Sequence, residues 1–107
     1  MRFWGLKNCD SCKKAQKALM AAGYEVDMTD VRADGVAAED LARFHAAFDE
    51  ALVNKRSTTW RGLSDAERAG DPLALLAEYP TLMKRPVVED GDRLTLGWDA
   101  KAQAVWL

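Results

Sequence analysis

The chain has 107 residues, with 15 Lys and Arg against 17 Asp and Glu, one His and two Cys. That length suits one compact domain able to bury a core without a disulfide or metal staple. A hydrophobic fraction of 49%, a charged fraction of 30% and a formal charge of −2 exclude disordered, collagenous and disulfide-scaffold classes, and a general binder of nucleic acid or anionic membrane would carry a basic surplus.

Arg2-Phe3-Trp4-Gly5-Leu6 reads as a short strand, rich in aromatic and apolar residues. It runs into Lys7-Asn8-Cys9-Asp10, a stretch of turn and N-cap character. Ser11 to Ala22 is helix-forming, with Ala15, Ala18, Leu19 and Ala22 at helical spacing, and Gly23 supplies the stop. Tyr24 to Asp30 alternates with period two and predicts a second strand. After the Asp34-Gly35 turn, a second helix is expected from Ala37 to about Asn54. Its buried stripe would be Leu41, Phe44, Phe48 and Leu52, with Asp40, Arg43 and Glu50 facing water.

Ser57 to Gly62 breaks that pattern. Ser64 and Glu67 then form a capping box for a short helix, and Asp71-Pro72 opens another that runs to Glu78. Tyr79-Pro80 closes it. Arg85 to Glu89 and Arg93 to Gly97 read as the arms of a hairpin turning at Asp90-Gly91-Asp92, and Asp99 to Trp106 as a weak last helix. Strand–helix–strand implies a right-handed crossover between parallel strands, which the hairpin extends antiparallel. The expected fold is therefore α/β and thioredoxin-like: a mixed four-stranded sheet, with a helical insertion at about 37–80 inside a single domain 1–107. No apolar run approaches the roughly 20 residues of a membrane span, and the N-terminus lacks a signal-peptide h-region. A cytoplasmic protein with reduced thiols is expected, in which a disulfide would be catalytic or sensory.

The chemistry concentrates in Cys9-Asp10-Ser11-Cys12. Cys9 falls at the mouth of the first helix, where unpaired N–H groups carry about half a positive charge. A thiol there should titrate below the about 8.5 of a free cysteine. Lys7 and Lys13 would add positive charge, Asp10 would oppose it, and Ser11 would offer its N–H to the thiolate. Cys12, almost one turn on, lies within reach of a disulfide with Cys9, so the pair offers a nucleophile and a resolving thiol, the attacking member being Cys9 because it is nearer the helix opening and solvent. Cysteines buried merely as small hydrophobes would not need to fall together at a strand-to-helix turn. A zinc site needs four ligands where only Cys9, Cys12 and His45 are offered, so no metal is expected.

Pro86 opens a strand, which places its missing N–H at an edge or a bend. The Asn54–Arg61 stretch reads equally as a solvated helix end or as part of an anion pocket, in which Arg56, Arg61 and Arg85 would hold carboxylates through forked hydrogen bonds.

Gly5-Leu6-Lys7-Asn8-Cys9-Asp10-Ser11-Cys12-Lys13-Lys14-Ala15 resembles the opening of the arsenate reductase-like (ArsC/Spx) family, in its YffB branch. Asp30 to Gly35, Ala51 to Leu63 (containing Asn54-Lys55-Arg56-Ser57-Thr58-Thr59-Trp60-Arg61) and Met83-Lys84-Arg85-Pro86-Val87 leading to Leu96-Gly97 resemble it in the same order. The resemblance implies Cys9 as the reactive thiol, Arg85 as an anion-binding residue, a cis bond before Pro86 and glutathione-dependent thiol reduction. It also implies departures from arsenate reductases. Asn54 and Leu96 stand where two of their three oxyanion arginines would be, and Lys13 stands where a further arginine follows their cysteine.

The expected function is thus a thiol–disulfide reductase with Cys9 as nucleophile, Cys12 or glutathione as resolving thiol, glutathione as cosubstrate and no tightly bound cofactor. Asn8, Asp10, Ser11, Lys13, Arg56, Arg61, Arg85 and Pro86 would contact substrate. Glutaredoxin or thioredoxin would be the protein partner, the chain acting as a monomer without nucleic acid or membrane. Arsenate reductase and an Spx-like redox regulator that binds RNA polymerase are the alternatives.

Overall fold

A computed structural model describes all residues, Met1–Leu107. The chain divides into two compact units, one formed by Met1–Val31 with Arg85–Leu107, the other by Arg32–Lys84.

The first unit is built on a four-stranded mixed sheet. Strands β1 (Arg2–Gly5), β2 (Asp27–Asp30), β3 (Val87–Asp90) and β4 (Arg93–Leu96) lie in the order β2-β1-β3-β4. β1 pairs parallel to β2 with Phe3 opposite Met28, and antiparallel to β3 with Phe3 opposite Val88. β3 and β4 form the hairpin, Asp90 opposite Arg93. Gly91 takes φ +60° at the first position of that two-residue turn, where a β-carbon would be strained. Helix α1 (Asp10–Ala21) is the crossover between β1 and β2. It buries Cys12, Ala15 and Leu19, spaced along one face, in a core with Phe3, Val88 and Trp106.

Two details differ from the sequence expectation. β2 begins at Asp27, three residues after Tyr24, because the chain leaves α1 through a Schellman cap. Gly23, at φ +98°, donates its N–H to the Met20 carbonyl, and the Tyr24 N–H goes to Leu19, so Tyr24 has no amide left for a ladder. The tail, expected to be weakly helical, is a firmly anchored helix, Ala100–Trp106. Asp99 caps it by accepting from the Ala102 N–H at 2.9 Å. Trp106 Nε1 donates to the buried Thr95 hydroxyl at 2.8 Å, the Tyr24 hydroxyl donates to the Trp106 carbonyl, and the two rings meet edge-to-face with centroids 6.0 Å apart.

The second unit is helical. Helix α2 (Ala38–Phe48) is followed by a 3₁₀ turn at Asp49–Leu52, then α3 (Thr58–Arg61), α4 (Asp65–Arg68), α5 (Pro72–Glu78) and a 3₁₀ turn at Pro80–Leu82. The expected single helix to Asn54 is interrupted at Asp49, whose φ of +54° is incompatible with continuing the α-helix. Phe48 is accordingly only half-buried, while Leu41, Phe44 and Leu52 are buried as expected. Asp40 corrects the sequence reading: it is 8% exposed rather than facing water, and accepts from the Arg43 guanidinium at 2.7 Å. The capping box of α4 and the Asp71–Pro72 start of α5 are as the sequence predicts.

An isolated bridge between Val53 and Met83 closes the base of this unit. The Asn54 N–H donates to Leu82 at 2.7 Å and the Lys84 N–H to Leu52 at 2.8 Å. No helix is long and apolar enough to cross a membrane.

Candidate active site: the Cys9 turn

The β1–α1 connection places Cys9 as the N-cap of α1, with extended backbone angles of −94° and 121°. Its N–H donates to the Leu6 carbonyl, and its own carbonyl accepts the first helical hydrogen bond, from Lys13, at 2.9 Å. No side-chain oxygen caps the helix, so the first-turn amides are left to the cysteine. Cys9 is half-buried, Cys12 is 1% exposed, and both thiols are free.

Their surroundings push the two thiols in opposite directions. Burial is the largest influence on Cys9 and acts upward. A hydrogen bond from the Cys12 amide, one from the Cys12 thiol, one from the Arg85 guanidinium and the Arg85 charge together prevail, holding Cys9 below its ordinary value. For Cys12, burial again leads and acts upward. The Leu6 amide opposes it, but the adjacent Cys9 sulfur adds to it, and the thiol is pushed up to about 12. One sulfur is thereby prepared as a thiolate while its neighbour keeps its proton and donates it.

Arg85 reaches this turn from the segment entering β3. The Arg85–Pro86 peptide bond is cis, as the resemblance implies, Pro86 is buried, and its carbonyl accepts the Gly97 N–H at 2.8 Å. That hydrogen bond ties the bend to the end of the hairpin.

The sequence expectation for this turn needs two corrections. The amide acting on the Cys9 sulfur belongs to Cys12, not Ser11, because the N-cap side chain reaches the third residue of the helix. The cation acting on it is Arg85, with neither Lys7 nor Lys13 contributing. Asn8, Asp10, Ser11 and Lys13 are all exposed around the turn.

Gly5 was not singled out in the sequence. A β-carbon there would lie 2.8 Å from the Cys12 sulfur and 2.9 Å from the Phe3 ring, so only glycine lets the first strand pass so close to the thiol. Its place at the end of a strand, just before the cysteine turn, was the available signal.

The remaining expected site residues lie in the helical unit. Arg56 is exposed, its N–H donating to the Asn54 side chain at 3.0 Å in a tight turn, and it lines an open groove with Lys55 and Lys84. Arg61 lies at the end of α3 and does not line that groove. His45 is on α2, with Nε2 3.9 Å from the Asp49 carboxylate.

A thioredoxin-like sheet with an activated cysteine at the mouth of its first helix defines a class of thiol redox proteins. Within that class the chain belongs to the ArsC family, whose model matches residues 4–104. It is 39% identical over 103 residues to an uncharacterised protein of Haemophilus influenzae, covering 92% of this chain and 90% of the other. A solved structure of a YFFB protein superposes with a TM-score of 0.87 at 33% identity, covering 99% and 97% of the two chains. The regulatory protein MgsR of Bacillus subtilis is 26% identical over 106 residues, with 92% and 83% coverage. An arsenate reductase from Vibrio cholerae shares the fold, at a TM-score of 0.78 and 18% identity over 100% and 98% of the chains. Family membership points to thiol redox chemistry of the arsenate reductase or Spx type.

Proposed function

We propose that the protein is a glutathione-dependent thiol–disulfide reductase with Cys9 as its nucleophile, acting in the cytoplasm. The observation that carries this reading is the polarised cysteine pair: a half-buried Cys9 held toward the thiolate by Arg85 and Cys12, beside a Cys12 that keeps its proton. The Cys9 thiolate attacks one sulfur of a disulfide. A Cys9–substrate disulfide forms as the other sulfur leaves as a thiolate and takes a proton from solvent.

Glutathione thiolate then attacks the substrate sulfur, forming a substrate–glutathione disulfide and returning Cys9 as thiolate. Attack by Cys12 on the Cys9 sulfur would instead close a Cys9–Cys12 disulfide and release the substrate thiolate. The burial of Cys12 and its high thiol pKa favour the glutathione route. In this reading Arg85 binds a glutathione carboxylate and the backbone at Arg85–Pro86 pairs with its peptide, while Asn8, Asp10, Ser11 and Lys13 shape the mouth of the site. Glutaredoxin or thioredoxin would be the electron-exchanging partner.

Titration of the reduced protein with glutathione, followed by NMR, tests the proposal. Shifts at Cys9, Arg85 and Pro86 are expected, and their absence overturns the glutathione reading. The similarity to MgsR favours a second reading, a redox-sensing regulator that binds RNA polymerase. Redox-dependent capture of purified RNA polymerase, without disulfide turnover, would select it. Arsenate turnover with glutathione and glutaredoxin, abolished in Arg85→Ala, would select an arsenate reductase.

A further inference from the structure

The Thr58-Thr59-Trp60-Arg61 block is not among the groups that act on the Cys9 thiol, and it builds a feature of its own within the helical unit. Ser57 caps α3 by accepting from the Trp60 backbone N–H at 3.1 Å, and Trp60 is half-buried. The Arg68 guanidinium lies 5.7 Å from its ring centroid and the Lys55 ammonium 5.8 Å. Arg68 is held in place: Nε donates to the Trp60 carbonyl at 3.2 Å and a terminal nitrogen to the Arg61 carbonyl at 3.1 Å.

Beside the indole is a cavity of about 170 Å³ with Val53, Pro72 and Leu75 as apolar walls. An apolar cavity of roughly 150 Å³ accommodates benzene, so this one admits a single six-membered ring. Val53 and Lys55 also line the open groove of about 580 Å³ that continues past Arg56 and Lys84. Along the two depressions four cations, Lys55, Arg56, Arg68 and Lys84, meet one carboxylate, Glu50, in a chain whose formal charge is −2. The groove has a fixed base, since the Val53–Met83 bridge and its flanking hydrogen bonds hold the two segments that carry these side chains.

A ring-sized cavity with Trp60, Val53, Pro72 and Leu75 among its walls, sharing Val53 and Lys55 with a cationic groove, fits an extended ligand with one anchor and several negative charges. We propose that the helical unit docks an acidic peptide segment of a partner protein that presents one aromatic side chain, the ring entering the cavity beside Trp60 and the flanking carboxylates lying along Lys55, Arg56 and Lys84. A lone aromatic acid would fill the cavity but leave the groove cations unmatched. Buried aromatic anchors supply most of the affinity of such contacts, and rim charges supply rate and selectivity.

The test uses the full chain and fluorescence anisotropy with a labelled short peptide, a central phenylalanine flanked by aspartates and glutamates. Saturable binding is expected, weakening as salt is raised. The double variant K55E/K84E, altered at two exposed positions, should weaken it about ten-fold or more, as should phenylalanine→alanine in the peptide. The charge-neutral K55Q/K84Q should fall between. No saturable binding, or binding that K55E/K84E leaves unchanged, overturns the proposal. So does displacement of the peptide by phenylacetate at equal affinity, which would assign the site to a small aromatic acid. Alkylation of Cys9 in K55E/K84E at the unaltered rate shows a folded protein and separates failure of the docking proposal from failure of the thiol reading.

Discussion

The two compact units are held by different means. In the sheet unit every strand is four residues long, but β1, β2 and β3 are each registered against a neighbour distant in sequence, and Phe3, Val88, Leu19 and Trp106 share one core. In the helical unit α3 and α4 are single turns, closed by side-chain caps from Ser57 and Ser64 and by Arg68 on the carbonyls of Trp60 and Arg61. Their cations differ in the same way. Arg85 is one half-buried guanidinium acting on one sulfur, whereas Lys55, Arg56 and Lys84 are exposed and surrounded by water. Charges in water interact weakly, and the same charge near a desolvated partner interacts strongly. The difference teaches that position rather than number of basic residues determines the thiol chemistry. It also predicts that damage to the sheet unit is felt at the thiol, while damage to the helical unit stays local.

The largest expected effect breaks the comparison at its centre. Cys9→Ser should abolish fast alkylation by iodoacetamide at neutral pH, because Cys12 is buried and that burial, the largest influence on its thiol, pushes it up. Fast labelling in that variant would show that Cys12 is the reactive thiol. Arg85→Ala comes next. It removes a hydrogen bond and a charge from the Cys9 sulfur, so thiolate absorbance should appear at higher pH, with the labelling rate at neutral pH falling about ten-fold. K55E/K84E should leave that titration unmoved.

Gly5→Ala tests the close passage of the first strand over Cys12. A β-carbon 2.8 Å from the Cys12 sulfur must displace it, and overpacking of this kind costs about 1–3 kcal/mol. Urea denaturation should show the loss, and the Cys9 titration should move upward because its thiol donor has shifted.

Alkaline pH separates the two thiols. A thiol whose folded pKa is raised leaves stability intact below the unfolded value and erodes it as pH rises toward the folded one. For Cys12 that window opens at the ordinary 9.0, and the burial that leads in raising its thiol remains when Cys9 is replaced. In a Cys9→Ser background, the urea midpoint should therefore fall more steeply above pH 9.0 than in Cys9→Ser/Cys12→Ala, and parallel profiles would show that Cys12 ionises freely.

Much of the fold was legible because its signals are local. The cysteine N-cap, the Gly23 stop, the Ser64–Glu67 box, Asp71-Pro72 and the Asp90-Gly91-Asp92 turn each state their conformation within a few residues. What the sequence hid depends on partners chosen by tertiary structure. Asp49 ends α2 at a positive φ that neither glycine nor asparagine announces, Asp40 is buried against Arg43, and Tyr24 gives its amide to a helix cap instead of a strand. At the site, the placement of Cys9 at the helix mouth was readable from type and position, and the anion-binding role of Arg85 was implied by the resemblance. The Cys12 amide, the role of Gly5 and the irrelevance of Lys7 and Lys13 to the sulfur depend on distances that spacing does not encode.

The smallest effect sharpens the claim that the helical unit is held locally. Ser57 accepts from the Trp60 N–H and donates to the Asn54 carbonyl at 2.8 Å, so Ser57→Ala removes a cap and a turn brace together. The expected loss is about 1 kcal/mol, the usual cost of an N-cap serine. Because α3 is one turn long, the loss should appear as faster amide exchange across Thr58–Arg61 before it appears in global unfolding. Exchange at Cys9 and Cys12 should not change, and neither should the Cys9 titration. Ser57 lies 27 residues after Asp30 at the end of β2 and 30 before Val87 at the start of β3, and the groups that lower the Cys9 thiol belong to Cys12 and Arg85. Should the thiol titration move with Ser57→Ala, the two units are energetically coupled.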